Sequence, residues 1–473
     1  MTGSMDVPGN STTGNIPDAF VRYLTDVAGH EKASVAVASL SSLPCTSIRV
    51  NPSKFAGADN AGYRYRPVPW SRFGAILENR PVFTLDPYFH AGAYYVQDIS
   101  SMFIGHAFSA ILGDSGLGGC PLKILDLCAA PGGKTTDLAS RMPEGSLLVA
   151  NEVIRQRVGT LRDNVMIWGS PDVAVTCGDP SRFGKHLVDF FDFVIVDAPC
   201  SGEGMFRKDP SALGQWSEDT VSLCSARQKR ILADVWPALK PGGVLIYSTC
   251  TYNRYENGDN IAWMKSSFGA ESVPVRCPEA ENAGAIPDEH GGMLFIYGVT
   301  EGEGQYCAAV RKPEGAFAAY PEKKAGYVPV KGFLEKAFDR KMFSLRNADG
   351  EAVEVLPENL CGMLPYIRQA VPVLSAGVIA GSMRGKDFVP DASLALSSAY
   401  ERDFYPRMPV DRETALRFLA KENIFLSGYP KGYLAVEYGG LPIGFVKNIG
   451  ARMNNLHPSS RRIRMDIKLR NDE

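Results

Sequence analysis

The chain has 473 residues, 45% of them apolar, with 50 lysines and arginines against 52 aspartates and glutamates. That length exceeds one ordinary core and predicts about two to four domains. The near-neutral balance excludes recruitment of polyanions by bulk charge, so any basic patch must be local. Ten cysteines are scattered without one C-x-x-C pair, which argues against structural zinc; the chain is also unlike a small disulfide-stapled secreted domain. The expectation is free thiols in a reducing cytoplasm, no metal, and no membrane partner, since no apolar stretch reaches spanning length.

In chain order, residues 1–15 lack a signal peptide's apolar core and read as a flexible leader. Residues 16–95 mix helix and strand signals with many aromatics, among them Tyr63, Tyr65, Trp70, Tyr94 and Tyr95, and are expected to form a small α+β accessory domain. A regular rhythm fills 96–312. Short apolar runs at 123–128, 146–152, 172–177, 192–197 and 243–249 alternate with helix-like segments at 134–142, 153–168 and 221–239. Runs of valine, isoleucine and leucine suit strands buried on both faces, and the alternation predicts a doubly wound, mostly parallel α/β sheet. KPGG at 240–243 reads as a breaker followed by a turn. Residues 313–400 carry prolines and weak periodicity and are assigned to a first C-terminal module. Within 401–473, residues 411–424 have helical spacing with Asp411 as N-cap, and 432–449 read as a hairpin about Gly439–Gly440.

Three strand ends carry ligand-type groups. The first strand runs into LDLCAAPGGKTTDLA (125–139), where Gly132 and Gly133 let backbone amides approach a ligand at a helix start suited to a carboxylate. It is neither a Walker A loop nor G-x-G-x-x-G, so phosphate is not indicated. The second strand ends at Glu152, which can accept two ribose hydroxyls; the third ends near Asp179, which can accept from an adenine amine. Each acid taken alone is more commonly a solvated helix cap or turn. Together, a sugar and an adenine without a phosphate cradle point to S-adenosylmethionine.

The fourth strand ends in Asp197-Ala198-Pro199-Cys200 and the fifth in Ser248-Thr249-Cys250-Thr251. Neighbouring strands would aim two thiols at one pocket, although buried cysteines are commonly inert. A thiol pair beside a methyl donor suits carbon 5 of a cytosine. A thiolate adding at carbon 6 activates carbon 5, an acid at ring nitrogen 3 eases the addition, and a second group assists release. The Pro-Cys dipeptide alone would make Cys200 the attacker. Ala-Pro-Cys lacks the aromatic platform of exocyclic-amine methylation. A reacting base must be unstacked, which favours single-stranded or loop RNA.

DLCAAPGGKT (126–135), DAPCSGEG (197–204) and YSTCTYNRYEN (247–257) together resemble the Nop/Sun-type RNA cytosine-5 methyltransferases. The resemblance implies a Rossmann-like fold with a mostly parallel seven-stranded sheet. It implies Cys250 as nucleophile, Cys200 in breakdown of the adduct, and Asp197 serving both base and cofactor. It also places S-adenosylmethionine against Cys128, Ala129, Ala130, Pro131, Gly132, Gly133, Lys134, Glu152, Asp179 and Asp197, with Arg157 at a basic position nearby. GEGMFRKDP (202–210) is similar to the branch that modifies cytosine in bacterial 16S ribosomal RNA, and 377–397 and 432–458 resemble its C-terminal modules, the second of PUA type. Tyr297-Gly298 and Gln305-Tyr306 depart from that branch's histidine-bearing strand and leave the sixth and seventh strands open.

The implied partner is 16S ribosomal RNA or the small ribosomal subunit, met by a cytoplasmic monomer. Transfer RNA is the rival substrate. A non-catalytic RNA-binding assembly factor and a uracil-5 methyltransferase compete with the cytosine reading as well. The basic run Lys447, Arg452, Arg461, Arg462, Arg464, Lys468 and Arg470 suits phosphate contacts. Arg207 and Lys208, with Arg227, Lys229 and Arg230, are expected near the target strand.

Overall fold

The computed structural model describes residues 16–55, 57, 61–114, 117–323, 326–345, 352–385 and 387–467. The leader 1–15 and the basic residues Lys468 and Arg470 lie outside the described residues.

The five apolar runs form parallel strands Lys123–Asp126, Leu147–Asn151, Val173–Thr176, Phe191–Asp197 and Leu239–Thr249. From one edge the order is third, second, first, fourth, fifth, so the strand order reverses between first and fourth. Beyond the fifth lie Gln305–Arg311, antiparallel to it, and then Met293–Phe295. These seven are the expected sheet, but they sit at the centre of a ten-stranded one. Glu271–Val273 and Ile286–Pro287 extend one side. Val373–Ala376 pairs antiparallel with the third strand on the other, so residues beyond 312 complete the catalytic sheet.

Both faces are covered, and the residues alternate accordingly. Leu125, Val149, Val194 and Leu245 enter one apolar cluster, and Ile124, Leu148, Phe193 and Ile246 the other. This burial explains why the strands read as unbroken apolar runs. The helices Gly133–Ala139, Arg155–Trp168 and Glu218–Val235 follow the first, second and fourth strands. KPGG does not break the chain. The fifth strand runs through it, with Gly242 at φ 74° and a register shift opposite Phe191–Phe193. Lys312 closes the irregularity by bonding backbone to backbone with Gly242 and Gly243, both at 2.9 Å.

The N-terminal helix Asp18–Ser39 and a four-stranded antiparallel sheet (Thr46–Val50, Tyr65–Val68, Ser71–Leu77, Tyr94–Val96) precede the catalytic unit. At the other end, Gly432–Tyr438 and Leu441–Asn448 make the expected hairpin, and Asp411 accepts from Thr414 N to cap helix Arg412–Leu419. Gly439 and Gly440 take φ 53° and 78°, the double positive φ of a tight hairpin turn, and a Cβ at Gly439 would collide with Tyr88. That contact is part of a shared core: Ile48, Val50 and Ala75 of the N-terminal sheet cluster with Leu416, Leu434 and Ile443. The two ends of the chain therefore pack on each other beside the catalytic unit.

Candidate active site

The first strand ends in a buried carboxylate, Asp126, whose Oδ2 accepts from Thr135 Oγ1 at 2.6 Å while Oδ1 is buried without a partner. Burial pushes its pKa up to about 7. The chain then turns through Cys128–Gly133. Gly132 adopts φ 113°, which requires glycine, and a Cβ there would also press tightly on Leu161 at 3.3 Å. Asn151 ties the three strand ends together, donating to Leu127 O and Gly178 O at 3.0 and 2.9 Å and accepting from Gly178 N.

On this edge Glu152 is 3% exposed. Its Oε1 accepts from Ile154 N, and its Oε2 faces Arg157 at 3.2 Å but receives no hydrogen bond. Arg157 also donates to Ala130 O at 2.7 Å, joining the second strand's end to the glycine turn. Asp179 is exposed and caps helix Pro180–His186; both of its bonds, from Ser181 N and Oγ, fall on Oδ1. Glu152 and the turn are thus brought together, whereas Asp179 is also the helix cap that its sequence position more commonly gives.

The fourth and fifth strands are neighbours, with Asp197 opposite Ser248. Cys200 and Cys250 follow, and their sulfurs lie 3.1 Å apart. Asp197 accepts from Ser248 Oγ at 2.7 Å through one oxygen and pairs with Lys134 at 2.7 Å through the other. Burial is the largest single influence on Lys134 and would depress its pKa, but Asp197, Asp126 and Cys250 together raise it above its ordinary value. The Cys200 thiol is raised well above its ordinary pKa, first by its hydrogen bond to Cys250 and then by burial, and so stays protonated beside its neighbour.

Two buried carboxylates that sequence reasoning left unassigned lock these loops. Glu203 accepts from Tyr252 N, Asn253 N, Asn253 Nδ2 and Trp216 Nε1 at 2.7–3.0 Å. Glu256 accepts from Ser201 N, Gln228 Nε2 and Asn253 Nδ2 at 2.7–3.0 Å. Each thus binds groups from both cysteine loops or their supports, which fixes one sulfur relative to the other. Their signal was present in the G-E-G of DAPCSGEG and the Y-E-N of YSTCTYNRYEN. Arg49 was also unassigned: fully buried, it reaches from the N-terminal sheet to Gly133 O and Thr136 Oγ1 and stacks on Trp168 at 4.4 Å.

The expected RNA-facing cations divide. Arg207 is turned inward, 5% exposed and paired with Glu303 at 2.7 Å, so it holds structure rather than a strand of RNA. Lys208 pairs with Asp98 at 3.1 Å. Arg227 and Arg230 are exposed, as are Arg452, Arg462 and Arg464. Lys447 is bonded to Asp387, and Arg461 points into the protein.

Three family descriptions match this chain: "16S rRNA methyltransferase RsmB/F" over residues 122–311, the N-terminal domain of 16S rRNA methyltransferase RsmF over 16–99, and the methyltransferase RsmF PUA domain over 405–463. Ribosomal RNA small subunit methyltransferase F of Shewanella loihica is 31% identical over 449 residues, covering 87% of this chain and 88% of that protein. Its Escherichia coli O7:K1 counterpart is 30% identical, covering 87% and 89%. A methyltransferase homologue from Pyrococcus horikoshii superposes with a TM-score of 0.53 at 27% identity, covering 63% of this chain and 96% of its own. NSun6 from the same organism, solved with SFG, shares the fold at a TM-score of 0.52 and 18% identity, covering 63% and 99%. Paired sulfurs on adjoining strand ends and relatives aligned along most of both lengths agree: the chain belongs to the ribosomal RNA small subunit methyltransferase F family.

Proposed function

We propose that this chain methylates carbon 5 of a cytosine in 16S ribosomal RNA through a covalent adduct. The single observation that carries the mechanism is the 3.1 Å separation of Cys200 and Cys250 beside the Lys134–Asp197 pair. S-adenosylmethionine fits the adjoining edge and, when bound, supplies an electrophilic methyl group. Glu152 offers ribose hydroxyls a buried oxygen that lacks a hydrogen bond, the turn Cys128–Lys134 offers backbone groups, and Asp179 has an oxygen outside its cap bonds.

Cys250 attacks carbon 6 through its sulfur, its thiol proton leaving to solvent. Asp197, oriented by Ser248 and Lys134, serves ring nitrogen 3, which takes a proton from the Asp197–Lys134 pair as carbon 6 is attacked and returns it when the adduct breaks. After methylation solvent water takes the carbon 5 proton, the freed C–H pair restores the carbon 5–carbon 6 double bond, and the sulfur–carbon 6 pair returns to Cys250. Cys200 assists this last step from hydrogen-bond distance. Glu203 and Glu256 touch no reacting atom; they position the loops.

In this reading 96–312 is the catalytic domain, 313–400 supports it, and 16–95 and 401–473 hold RNA. The protein acts as a cytoplasmic monomer; among the described residues, no helix is long and apolar enough to cross a membrane. The test is incubation with tritiated S-adenosylmethionine and either naked 16S RNA or assembled small subunits, followed by bisulfite mapping. New 5-methylcytosine at one position is expected. No 5-methylcytosine above the enzyme-free control on either substrate overturns the proposal.

A further inference from the structure

A cavity of about 230 Å³ lies far from the cysteines, where three parts of the chain meet. Arg162 and Asp163 come from the helix that follows the second strand, Asp391 and Ser393 from the support module, and Ser460 and Arg461 from the end of the PUA-type module. Arg461 is the unusual member. Its Nε and Nη2 are buried and have no hydrogen-bond partner. Those two N–H groups form one edge of the guanidinium, the fork that grips an oxyanion with two parallel bonds. Among the described residues no carboxylate is within ion-pair distance of it, and Asp163 and Asp391 act on it only through longer-range attraction.

The contrast with Arg207 is informative. That buried guanidinium bonds with Glu303 and Gly302 O. Burying donors without acceptors is costly, and folds rarely tolerate it where no ligand brings the acceptors. Arg162 adds a second cation, and Ser393 and Ser460 add hydroxyls at the same cavity.

We propose that this junction is a binding site for one phosphate-class oxyanion, gripped by the unpaired Nε–Nη2 edge of Arg461 and supplied by the backbone of the substrate RNA. It rests on the RNA reading above and goes beyond it by locating a contact at a three-way junction rather than on the exposed basic face. Asp163 and Asp391 weaken the site for any anion, so free phosphate binds loosely, and the attached RNA supplies the rest of the affinity.

The test uses the full chain and does not depend on methyl transfer, so a failure of the Cys250 mechanism leaves its readouts unaffected. Thermal unfolding is compared in sodium phosphate and in sodium chloride of equal ionic strength. Phosphate is expected to raise the wild-type Tm by about 2 °C, with the rise absent in Arg461→Gln and at most half as large in Arg461→Lys, which keeps the charge without the fork. Should the glutamine variant not fold, the lysine variant decides alone. Binding of a 16S-derived RNA fragment across a salt series is then expected to weaken roughly 10-fold in the Arg461 variant, with a log–log salt slope shallower by about 1. Equal phosphate responses in wild type and variants overturn the site. A phosphate response that vanishes in the variants while RNA affinity and slope stay unchanged assigns the site to a free anion and overturns the RNA source.

Discussion

The cysteine loops and the cofactor edge lie side by side on one sheet, yet they handle buried polar groups in opposite ways. In the loops nearly every acceptor is used: Glu203 receives four hydrogen bonds from the protein itself, and Glu256 receives three. On the cofactor edge Asp126 Oδ1 and Glu152 Oε2 are buried without a hydrogen bond. A saturated network fixes geometry before any substrate arrives, which is what holding two sulfurs 3.1 Å apart requires. An unsaturated one reserves bonding capacity for a ligand. The lesson is that the same residue type, a buried carboxylate, is saturated by the protein in one loop and left with spare bonding capacity in the next.

The largest effect expected is at the sulfurs. Cys250→Ala lowers methyl transfer by roughly 10⁴-fold or more and yields no denaturant-resistant protein–RNA adduct. Cys200→Ala is slow but accumulates that adduct, visible on a denaturing gel; the reverse pattern would exchange the two roles. Next, Glu203→Ala strips acceptors from four buried donors and should cost about 3 kcal/mol of stability or more, measured by calorimetry without any ligand. Glu152→Ala tests the other half of the comparison. Cofactor affinity by titration calorimetry should fall roughly 10- to 100-fold, the worth of one or two charge-assisted hydrogen bonds, while ligand-free Tm moves little. If Glu152→Ala destabilises the free protein as much as Glu203→Ala, the distinction between scaffold and receptor fails.

The last test is of pH. The Asp126 carboxyl has its folded pKa raised to about 7 by burial, above its unfolded value, so the folded state binds the extra proton between those two values. Its contribution to stability is therefore fully favourable below the unfolded pKa and is lost as pH rises toward 7. Asp126→Asn should flatten this slope in denaturant titrations between about pH 4 and pH 7. An unchanged slope would show that Asp126 is already ionised in the fold.

Much of this was legible beforehand because it is written in local pattern. Apolar runs spaced by helices gave the parallel strands, and strand ends are where such sheets bind ligands. Gly132 was identifiable because a turn without side chains lets backbone amides approach a ligand, and the Gly439–Gly440 hairpin because a two-residue turn needs positive φ. Other readings failed for reasons that are also physical. Arg207 looked like an RNA contact because sequence records its charge but not Glu303, almost a hundred positions away. KPGG looked like a stop because proline and glycine usually are one; here a bulge and Lys312 absorb them. Val373–Ala376 carries no mark that it belongs to the catalytic sheet, since edge pairing is decided by which strand is left uncovered.

The positions of the strands along the chain, the glycine turn and the placing of two cysteines at successive strand ends were determined by the sequence itself, since each follows from periodicity or from the conformational range of single residues. Tertiary structure alone decided which carboxylates are saturated, which arginine is paired, and that the two ends of the chain share one core. Those are contacts between residues far apart in sequence, and the free energy of a buried charge depends on its neighbours in space rather than on its neighbours in the chain.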